Sequence, residues 1–407
     1  MINMVKNLEY VQISDFGDIR TGKTPKTENT EYWNGNVPFI TPTDIPGFDS
    51  KKLLHTERTI SVEGVRSQKK TLLPPNSLCV SCIATIGKLC LTSVPSITNQ
   101  QINSIIVNDN YNPDYLFYVF RYYLPYLQLI GGGTGSGTSI INKNKFSKLK
   151  YPIFKDKSHQ AKIANVLSNY DQLIEYNNKR IKLLESMAEE LYKEWFVRFR
   201  FPGYRSVDIK KQSAKGWCFG DREDGQFIPV NWNFAELIET AEFKRGKNIT
   251  SFEMVDGEIP VIAAGLEPSG YHNQSNVKGY NLTVSASGAN AGYLAYHLED
   301  IWAADCSYYQ NDDNVWFVYN ALKFLQPVIS NMQVGSAQPH VYAKNINRIS
   351  TINPSNEWIQ KYEEKVNPIY LEIKNLKNKN GLLTKQRDAL LPRLMSGKLS
   401  VEGKEVI

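Results

Sequence analysis

The sequence has little cysteine or histidine and no long apolar run. It contains five cysteines and five histidines among 407 residues. An odd number of cysteines in a chain this long favours reduced thiols over a disulfide framework. A membrane-spanning helix needs about 20 consecutive apolar residues, and neither such a run nor the apolar stretch of a secretory signal after Met1 is present. We therefore expect a soluble protein of the cytoplasm with no membrane partner.

Motifs of common catalytic and cofactor sites are also missing. The sequence has no GxxxxGK[ST] phosphate loop, no GxSxG turn and no HExxH zinc helix. Cys79 and Cys82 form a CxxC pair, but it lies in an apolar run typical of a buried strand, and no second ligand pair follows. The run GGGTGSG at Gly131–Gly137 follows a helical pattern, which favours a flexible turn over a dinucleotide site. We expect no catalytic residue, metal or cofactor in this chain.

The chain does contain an internal repeat of about 200 residues, which its length accommodates twice. Four pairs of segments match in the same order: Arg20–Lys23 with Arg245–Lys247, Val37–Ile40 with Ile259–Ile262, Ile83–Leu89 with Ser287–Leu294, and Tyr115–Leu124 with Trp316–Leu325. Each of these matches alone could be chance. Their shared order and similar offset indicate a diverged duplication.

A long amphipathic segment follows each repeat. Apolar residues recur at steps of three and four, as in a coiled-coil seam. The first seam is Ile163, Leu167, Tyr170, Ile174, Ile181, Leu184, Ala188, Leu191 and Trp195, and the second is Ile359, Tyr362, Val366, Ile369, Ile373, Leu376, Leu383, Leu390 and Leu394. Asn177 interrupts the first seam, and Asn380 and Arg387 interrupt the second. The two asparagines either fix the helix register or face solvent. At the ends of the two stripes, Trp195 with Phe196 and Leu390 with Leu394 either belong to the seam or form a docking surface.

The predicted organisation is two repeats of a globular domain and a long helix. The boundaries are 1–155 for the first globular domain, 156–200 for the first helix, 201–225 for a linker, 226–352 for the second globular domain, 353–396 for the second helix and 397–407 for a tail. Short runs predict strands at Leu78–Ile83, Ile102–Val107, Leu282–Ser285 and Val315–Val318, and a helix at Tyr115–Tyr126. The fold class is therefore α+β, with the two long helices paired as an antiparallel coiled coil.

The net charge of +6 is unevenly distributed. It divides into +6 for residues 1–155, +1 for 156–200, −4 for 201–352 and +3 for 353–407. A basic first domain is typical of nucleic-acid binding, whereas an acidic second domain would need its basic residues gathered on one face. Charge alone therefore does not establish DNA binding.

Several motifs resemble those of the specificity subunits of type I restriction-modification systems, over essentially the whole chain. They are RTGKTP at Arg20–Pro25, the helical run at His159–Glu185, ELYKEWF at Glu190–Phe196, IPVNW at Ile228–Trp232, RGK at Arg245–Lys247 and the closing run at Leu382–Val401. The helical runs are the more specific part of this resemblance, since recognition domains vary.

The resemblance implies a non-catalytic subunit that reads double-stranded DNA. Each recognition domain would read one half of a split target, and the paired helices would set the unread spacer. Two modification subunits would bind S-adenosylmethionine and methylate adenine, and restriction subunits would use ATP with Mg²⁺ to translocate and cut DNA. The chain itself would then hold no cofactor.

DNA reading needs basic residues on phosphates and polar groups on base edges. The phosphate candidates are Arg20, Lys23, Lys26, Lys88, Lys143, Lys145, Arg245, Lys247 and Lys344. The base-reading candidates are Thr41, Thr43, Asn99, Gln100, Gln101, Asn290, Tyr293, Tyr308, Tyr309, Gln338 and His340. Each could also be an ordinary solvated side chain. Two other functions stay open: a coiled-coil scaffold that binds proteins, and a DNA methyltransferase or nuclease with an unrecognised active site.

Overall fold

A computed structural model describes residues 8–45, 51–53, 55–132, 139–212, 226–333 and 339–401. The chain forms two compact units, one of Met1–Lys179 with Lys377–Ile407 and one of Arg180–Leu376. Each unit thus combines one globular domain with parts of both long helices. The α+β class and the two long helices predicted from the sequence are confirmed.

The first unit contains the first globular domain. Its strands are β1 (Leu8–Gln12), β2 (Gly17–Thr21), β3 (Trp33–Ile40), β4 (Lys52–Leu53), β5 (Arg58–Ile60), β6 (Leu78–Ser81), β7 (Leu89–Thr92), β8 (Ile97–Thr98), β9 (Ile102–Val107) and β10 (Lys150–Phe154). Its helices are α1 (Val62–Ser67), α2 (Pro113–Tyr122), α3 (Leu124–Gly131), α4 (Lys143–Lys148) and the first part of α5 (Lys157–Tyr192).

A sheet in the order β2-β9-β6-β7-β4 forms the centre of this domain, next to a smaller sheet in the order β5-β3-β8. Helix α2 shares a buried core with the central sheet. Its start is defined by Asn112, whose side-chain oxygen accepts a hydrogen bond from the Tyr115 N–H at 2.9 Å, and by Pro113 in the first turn. Every side chain from Tyr115 to Phe120 is buried, so α2 anchors the sheet rather than facing solvent.

The second unit contains the second globular domain. Its strands are β11 (Ile209–Gln212), β12 (Gln226–Pro229), β13 (Asn233–Glu236), β14 (Lys244–Arg245), β15 (Ile259–Ile262), β16 (Gly270–His272), β17 (Asn281–Ser285), β18 (Leu294–His297), β19 (Trp302–Ala303), β20 (Cys306–Gln310) and β21 (Ser350–Asn353). Its helices are α6 (Val315–Phe324), α7 (Gln326–Asn331), α8 (Ala343–Asn347), the start of α9 (Asn356–Met395) and the end of α5, which continues as a π-helical turn at Lys193–Val197.

The duplication read from the sequence is present in the strand order. The order β14-β20-β17-β18 repeats β2-β9-β6-β7, and β16-β15-β19 repeats β5-β3-β8. In both smaller sheets one neighbouring pair is parallel, β3 with β8 and β15 with β19. A separate antiparallel ribbon, β1 with β10 and β13 with β21, closes each domain.

The strand predicted at Val315–Val318 is wrong, because these residues begin α6. A short apolar run that is buried on all sides has the same pattern in a strand and in a helix. Here every side chain from Val315 to Leu322 is buried. The carboxylate of Glu363 accepts a hydrogen bond from the Phe317 N–H at 2.7 Å, which satisfies a donor in the first turn of the helix.

In the first unit the paired helical segments are joined by a buried ion pair. The guanidinium of Arg387 lies 2.6 Å from a carboxylate oxygen of Asp171, and their side chains are only 2% and 7% exposed. The Tyr118 hydroxyl of α2 donates to the same carboxylate. Asn177 donates to the side chain of Asn380 at 2.7 Å. The register of these contacts is antiparallel, and the role of the two asparagines in fixing it stays a prediction.

In the second unit the α9 segment contacts its neighbours through aromatic side chains. Tyr370 stacks on Trp316 of α6 with ring centroids 3.6 Å apart, and the Tyr362 hydroxyl donates to the Ala188 carbonyl at 2.9 Å. Trp195 and Phe196 are buried in the same core, so they belong to the packed interior.

Some seam positions differ from the sequence pattern. Tyr370 and Leu391 are buried where Ile369 and Leu390 were predicted, one residue later on the helix. Each domain covers the helix from one side, and this shifts the buried face away from a strict heptad position. No helix in the described part of the chain is long and apolar enough to cross a membrane.

Removing the cation of the buried ion pair should destabilise the first unit. We expect Arg387→Met to cost about 3–5 kcal/mol, because it leaves the Asp171 carboxylate buried without its partner. The double variant Asp171→Leu/Arg387→Met should recover most of this loss. Thermal melting followed by circular dichroism measures both. The control is Lys361→Met, which breaks an exposed ion pair with Glu357 and should change stability by less than about 1 kcal/mol. An unchanged midpoint for Arg387→Met would contradict the structural role.

Glu363 should make stability depend on pH. Burial raises the pKa of Glu363 to about 8 from its ordinary 4.5, against the opposing effect of the Phe317 and Trp316 N–H groups. The folded chain therefore holds this proton more tightly than the unfolded chain. The resulting stabilisation is complete below about pH 4.5 and is lost as the pH rises through about 8. We expect the melting midpoint of the native chain to fall more steeply between about pH 5 and 8 than that of Glu363→Gln. Parallel pH profiles would refute this role.

Candidate nucleic-acid interface

The RTGKTP loop of the first domain is fixed by its backbone. The Gly22 N–H donates to the Ile102 carbonyl at 3.1 Å and the Lys23 N–H donates to the Thr98 carbonyl at 2.9 Å. A side chain at Gly22 would meet the Asn99 carbonyl oxygen at 2.2 Å, so only glycine allows this close approach. The exposed side chain of Lys23 is consequently held at a defined place beside the end of β2.

The second domain builds the same loop. The Gly246 N–H donates to the Cys306 carbonyl and the Lys247 N–H donates to the Ala303 carbonyl, both at 2.9 Å. A Cβ on Gly246 would lie 2.3 Å from the Ala304 carbonyl oxygen. Lys247 is exposed, as Lys23 is in the first domain. The two lysines therefore occupy equivalent positions on duplicated frameworks.

The structure brings several candidates of the first domain together around the first loop. Thr24 donates to the side chain of Gln100 at 2.7 Å, and Gln100 is exposed. The Asn99 side chain is 93% buried and bonds both the Gln101 N–H and the Gln101 side chain. Asn99 thus positions this turn. The side-chain amide oxygens of Gln100 and Gln101 accept hydrogen bonds from Thr24 and Asn99, and the Gln100 side chain is exposed while that of Gln101 is half-buried.

A second turn lies beside the first. The Asn99 N–H donates to the Ile40 carbonyl at the end of β3, where Thr41 and Thr43 follow. Thr41 donates to Asp44 at 2.5 Å and contacts the Thr43 hydroxyl at 2.7 Å. Both hydroxyls are therefore engaged inside the turn.

The other basic candidates of this domain are of two kinds: side chains that donate to backbone carbonyls inside the domain, and side chains that are exposed. Lys88 donates to the Pro42 carbonyl at 2.7 Å, and Arg20 donates to the Leu72 carbonyl at 2.6 Å and pairs with Asp18. These contacts give both side chains a structural role. Lys26, Lys143 and Lys145 are exposed, and Lys145 also donates to the Ile130 carbonyl. The bridge between Ile83 and Ile140 joins the segment before Lys143 to the turn that holds Lys88.

In the second domain the candidates lie along the ends of β14, β17 and β20. Arg245 pairs with Asp305 at 2.5 Å, and Lys247 lies over the Trp302 ring at 6.0 Å. Asn290 lies 3.4 Å from the Ala264 carbonyl, and Tyr293 is 46% exposed.

A further group surrounds the bridge between Ser287 and His340. His340 stacks on Tyr342 with ring centroids 5.9 Å apart, and the ammonium of Lys344 lies 5.7 Å from the same ring. Tyr308 is half-buried on β20. Gln338 lies outside the described residues.

The assignment of Tyr309 as a base reader is corrected. Its side chain is only 6% exposed, and its hydroxyl donates to Asn314 at 2.6 Å. Adjacent side chains of a strand point to opposite faces, so Tyr308 and Tyr309 could not both reach a ligand. The sequence did not reveal this alternation because both residues are aromatic.

Sequence reasoning missed three exposed or half-exposed aromatic residues beside these candidates: Phe252, Trp302 and Tyr342. Trp302 on β19 aligns with Ile97 on β8, which is fully buried, so the duplication gave no signal for an exposed ring at this position. In the part of the chain that the structure describes, no group of three or more His, Cys, Asp or Glu side chains could hold a metal ion.

Comparison with known proteins identifies the family. The model of the type I restriction modification DNA specificity domain matches residues 5–186 and again residues 229–381. The chain belongs to this family. Its members determine DNA target specificity and are non-catalytic, and the double match follows the duplicated fold.

Individual relatives agree with this assignment. The type I restriction enzyme MjaIX specificity subunit of Methanocaldococcus jannaschii is 27% identical over 424 aligned positions, which cover 98% of this chain and 94% of that protein. The HindI specificity subunit of Haemophilus influenzae is 39% identical over 145 positions, or 35% of this chain and 31% of that protein. The crystal structure of a type I S subunit from M. genitalium has a TM-score of 0.56 at 19% identity, covering 97% of this chain and 98% of that one.

Replacing Lys23 should weaken DNA binding without changing the sequence that the specificity subunit selects. A lysine on a phosphate contributes through counterion release, so Lys23→Ala should reduce the slope of log affinity against log salt by about one. Binding titrations of the assembled complex at several salt concentrations measure this slope. The control is Lys155→Ala, whose ammonium pairs with Glu9 at the closing ribbon. If both variants had the native slope, Lys23 would not contact a phosphate.

Proposed function

We propose that this specificity subunit reads a bipartite double-stranded DNA target, with one half-site for each globular domain. The observation that carries the proposal is the repeated loop framework at Gly22–Lys23 and Gly246–Lys247, held by equivalent backbone hydrogen bonds. Two frameworks of the same construction, each presenting an exposed lysine, are suited to two separate segments of duplex. Polar side chains lie beside the lysine in the first domain, and Trp302 lies beside it in the second.

The proposal extends to the partners of the chain. The subunit recruits two modification subunits, which bind S-adenosylmethionine and methylate adenine, and restriction subunits, which translocate and cut DNA with ATP and Mg²⁺. The chain itself binds no cofactor. The paired helical segments set the length of the unread spacer between the half-sites.

The test is to map methylated adenines across the genome of a host that expresses the chain with its modification partner. We expect one split motif with two constant parts and a spacer of fixed length. Deleting the gene for this chain should abolish that motif, since it alone supplies the target selection. A continuous motif would contradict the two-reader proposal.

Two further measurements separate the rival functions. Affinity of the assembled complex for duplex should fall as salt rises, and absent or salt-independent binding would favour a protein-binding scaffold. Methyl transfer by the purified chain without any partner would establish an enzyme with an unrecognised active site and overturn the proposal.

A further inference from the structure

Phe252 is the most exposed large apolar residue in the described part of the chain. Its side chain is 99% exposed, at the tip of the loop that joins β14 to β15. Leaving a phenylalanine in water forgoes the free energy that burial would provide. A single exposed apolar residue needs no explanation by itself, so the structure around Phe252 decides whether it has a role.

The loop holds Phe252 outward by a set of specific contacts. The Thr250 N–H and hydroxyl both donate to the Glu253 carboxylate, at 2.7 and 2.8 Å. These hydrogen bonds lower the pKa of Glu253 and keep the carboxylate charged as a local cap. The Glu253 and Met254 N–H groups donate back to the Thr250 carbonyl, at 3.0 and 3.2 Å. The turn that carries Phe252 is thus closed on itself.

Both ends of the loop are also attached to the domain. The indole N–H of Trp302 donates to the Lys247 carbonyl at 2.8 Å, before the turn. After it, the Val255 N–H donates to the buried ring of His272 at 3.0 Å. Gly257 and Gly270 allow close packing there, because a Cβ would meet the His272 carbonyl oxygen at 2.3 Å and the Met254 sulfur at 2.8 Å, respectively. Phe252 is therefore presented on a preorganised loop.

The loop that carries Phe252 continues directly from the glycine-lysine framework that we propose contacts DNA. It starts at Lys247, the counterpart of Lys23, and the charge of Lys247 acts on Glu253 next to Phe252. In the first domain the equivalent loop carries Lys26 as a second exposed basic residue. Residues 201–352, which include the second domain, carry a net charge of −4. The second loop thus carries an exposed apolar ring, whereas the first carries a second exposed cation.

We propose that Phe252 contacts the bases of the half-site read by the second domain, as an apolar probe that enters a DNA groove beside the phosphate contact of Lys247. This rests on the proposed function. An aromatic ring recognises bases in two ways, by contact with a thymine methyl group or by partial insertion at a base step. Both need an exposed ring on a rigid support, and neither needs positive charge.

The first experiment compares the methylated motif in hosts that express the native complex or Phe252→Ala. We expect the variant to lose base selectivity at one or two positions of one half-site, with the other half-site and the spacer unchanged. Phe252→Leu should retain part of the selectivity, since it keeps an apolar side chain. The matched control is Leu129→Ala in α3, which removes a 77% exposed apolar side chain from the first domain and should leave the motif intact.

Binding titrations of the purified complex on its own motif separate a base contact from a phosphate contact. Phe252→Ala should weaken binding about tenfold and leave the salt slope unchanged, whereas Lys247→Ala should lower the slope by about one. Uracil in place of thymine at the affected position, or 2-aminopurine at the affected step, then distinguishes methyl contact from insertion. Because the Phe252 side chain is almost fully exposed, the melting midpoint of Phe252→Ala should equal that of the native chain.

An unchanged motif together with unchanged affinity for Phe252→Ala would overturn the inference while the native motif still supported the proposed function. Absence of any split motif with the native chain would instead refute the proposed function. The two failures are therefore distinguishable.

Discussion

The burial of one apolar stripe on each long helix is the constraint on which the rest of the structure depends. A single amphipathic helix of this length cannot bury its stripe alone. In each unit the stripe is buried by a segment of the other helix and by the helix that follows the central sheet, α2 or α6. The recognition sheets are consequently attached to the helical segments by their own cores.

The two units meet this constraint with different chemistry. In the first unit a buried Asp171–Arg387 pair is hydrogen-bonded to Tyr118, and in the second Tyr370 stacks on Trp316 and accepts a hydrogen bond from Asn320. A buried charge pair contributes little net stability but penalises any partner that cannot neutralise it. An aromatic stack contributes through area and shape. The duplicated fold has therefore diverged in its interior contacts, while the order of the shared strands has stayed the same.

Much of the architecture followed from periodic patterns in the sequence. The duplication and the long helices were predictable because seam spacing and the order of motifs extend over many residues. The strand predicted at Val315–Val318 failed because an apolar run buried on all sides carries no periodicity. Single seam positions such as Ile369 failed because packing by the domain shifts the buried face by one residue.

The candidate site was less predictable, because exposure and hydrogen-bond engagement depend on tertiary contacts. The glycine-lysine loops were found through the repeat, whereas the burial of Tyr309 depends on which face of β20 meets the core. Phe252 was missed because composition does not distinguish a buried ring from a presented one.

The closing ribbons determine which parts of the sequence can be replaced without disturbing the rest of the fold. Leu8 pairs with Phe154, and Asn233 pairs with Asn353, so the chain enters and leaves each globular domain at adjacent points. The sequence between these ends is constrained by the ribbon and by the core that it shares with the two helical segments of its unit. Because the two ends of the domain are adjacent, the sequence between them can be exchanged or rebuilt while the two helical segments keep their contacts with each other.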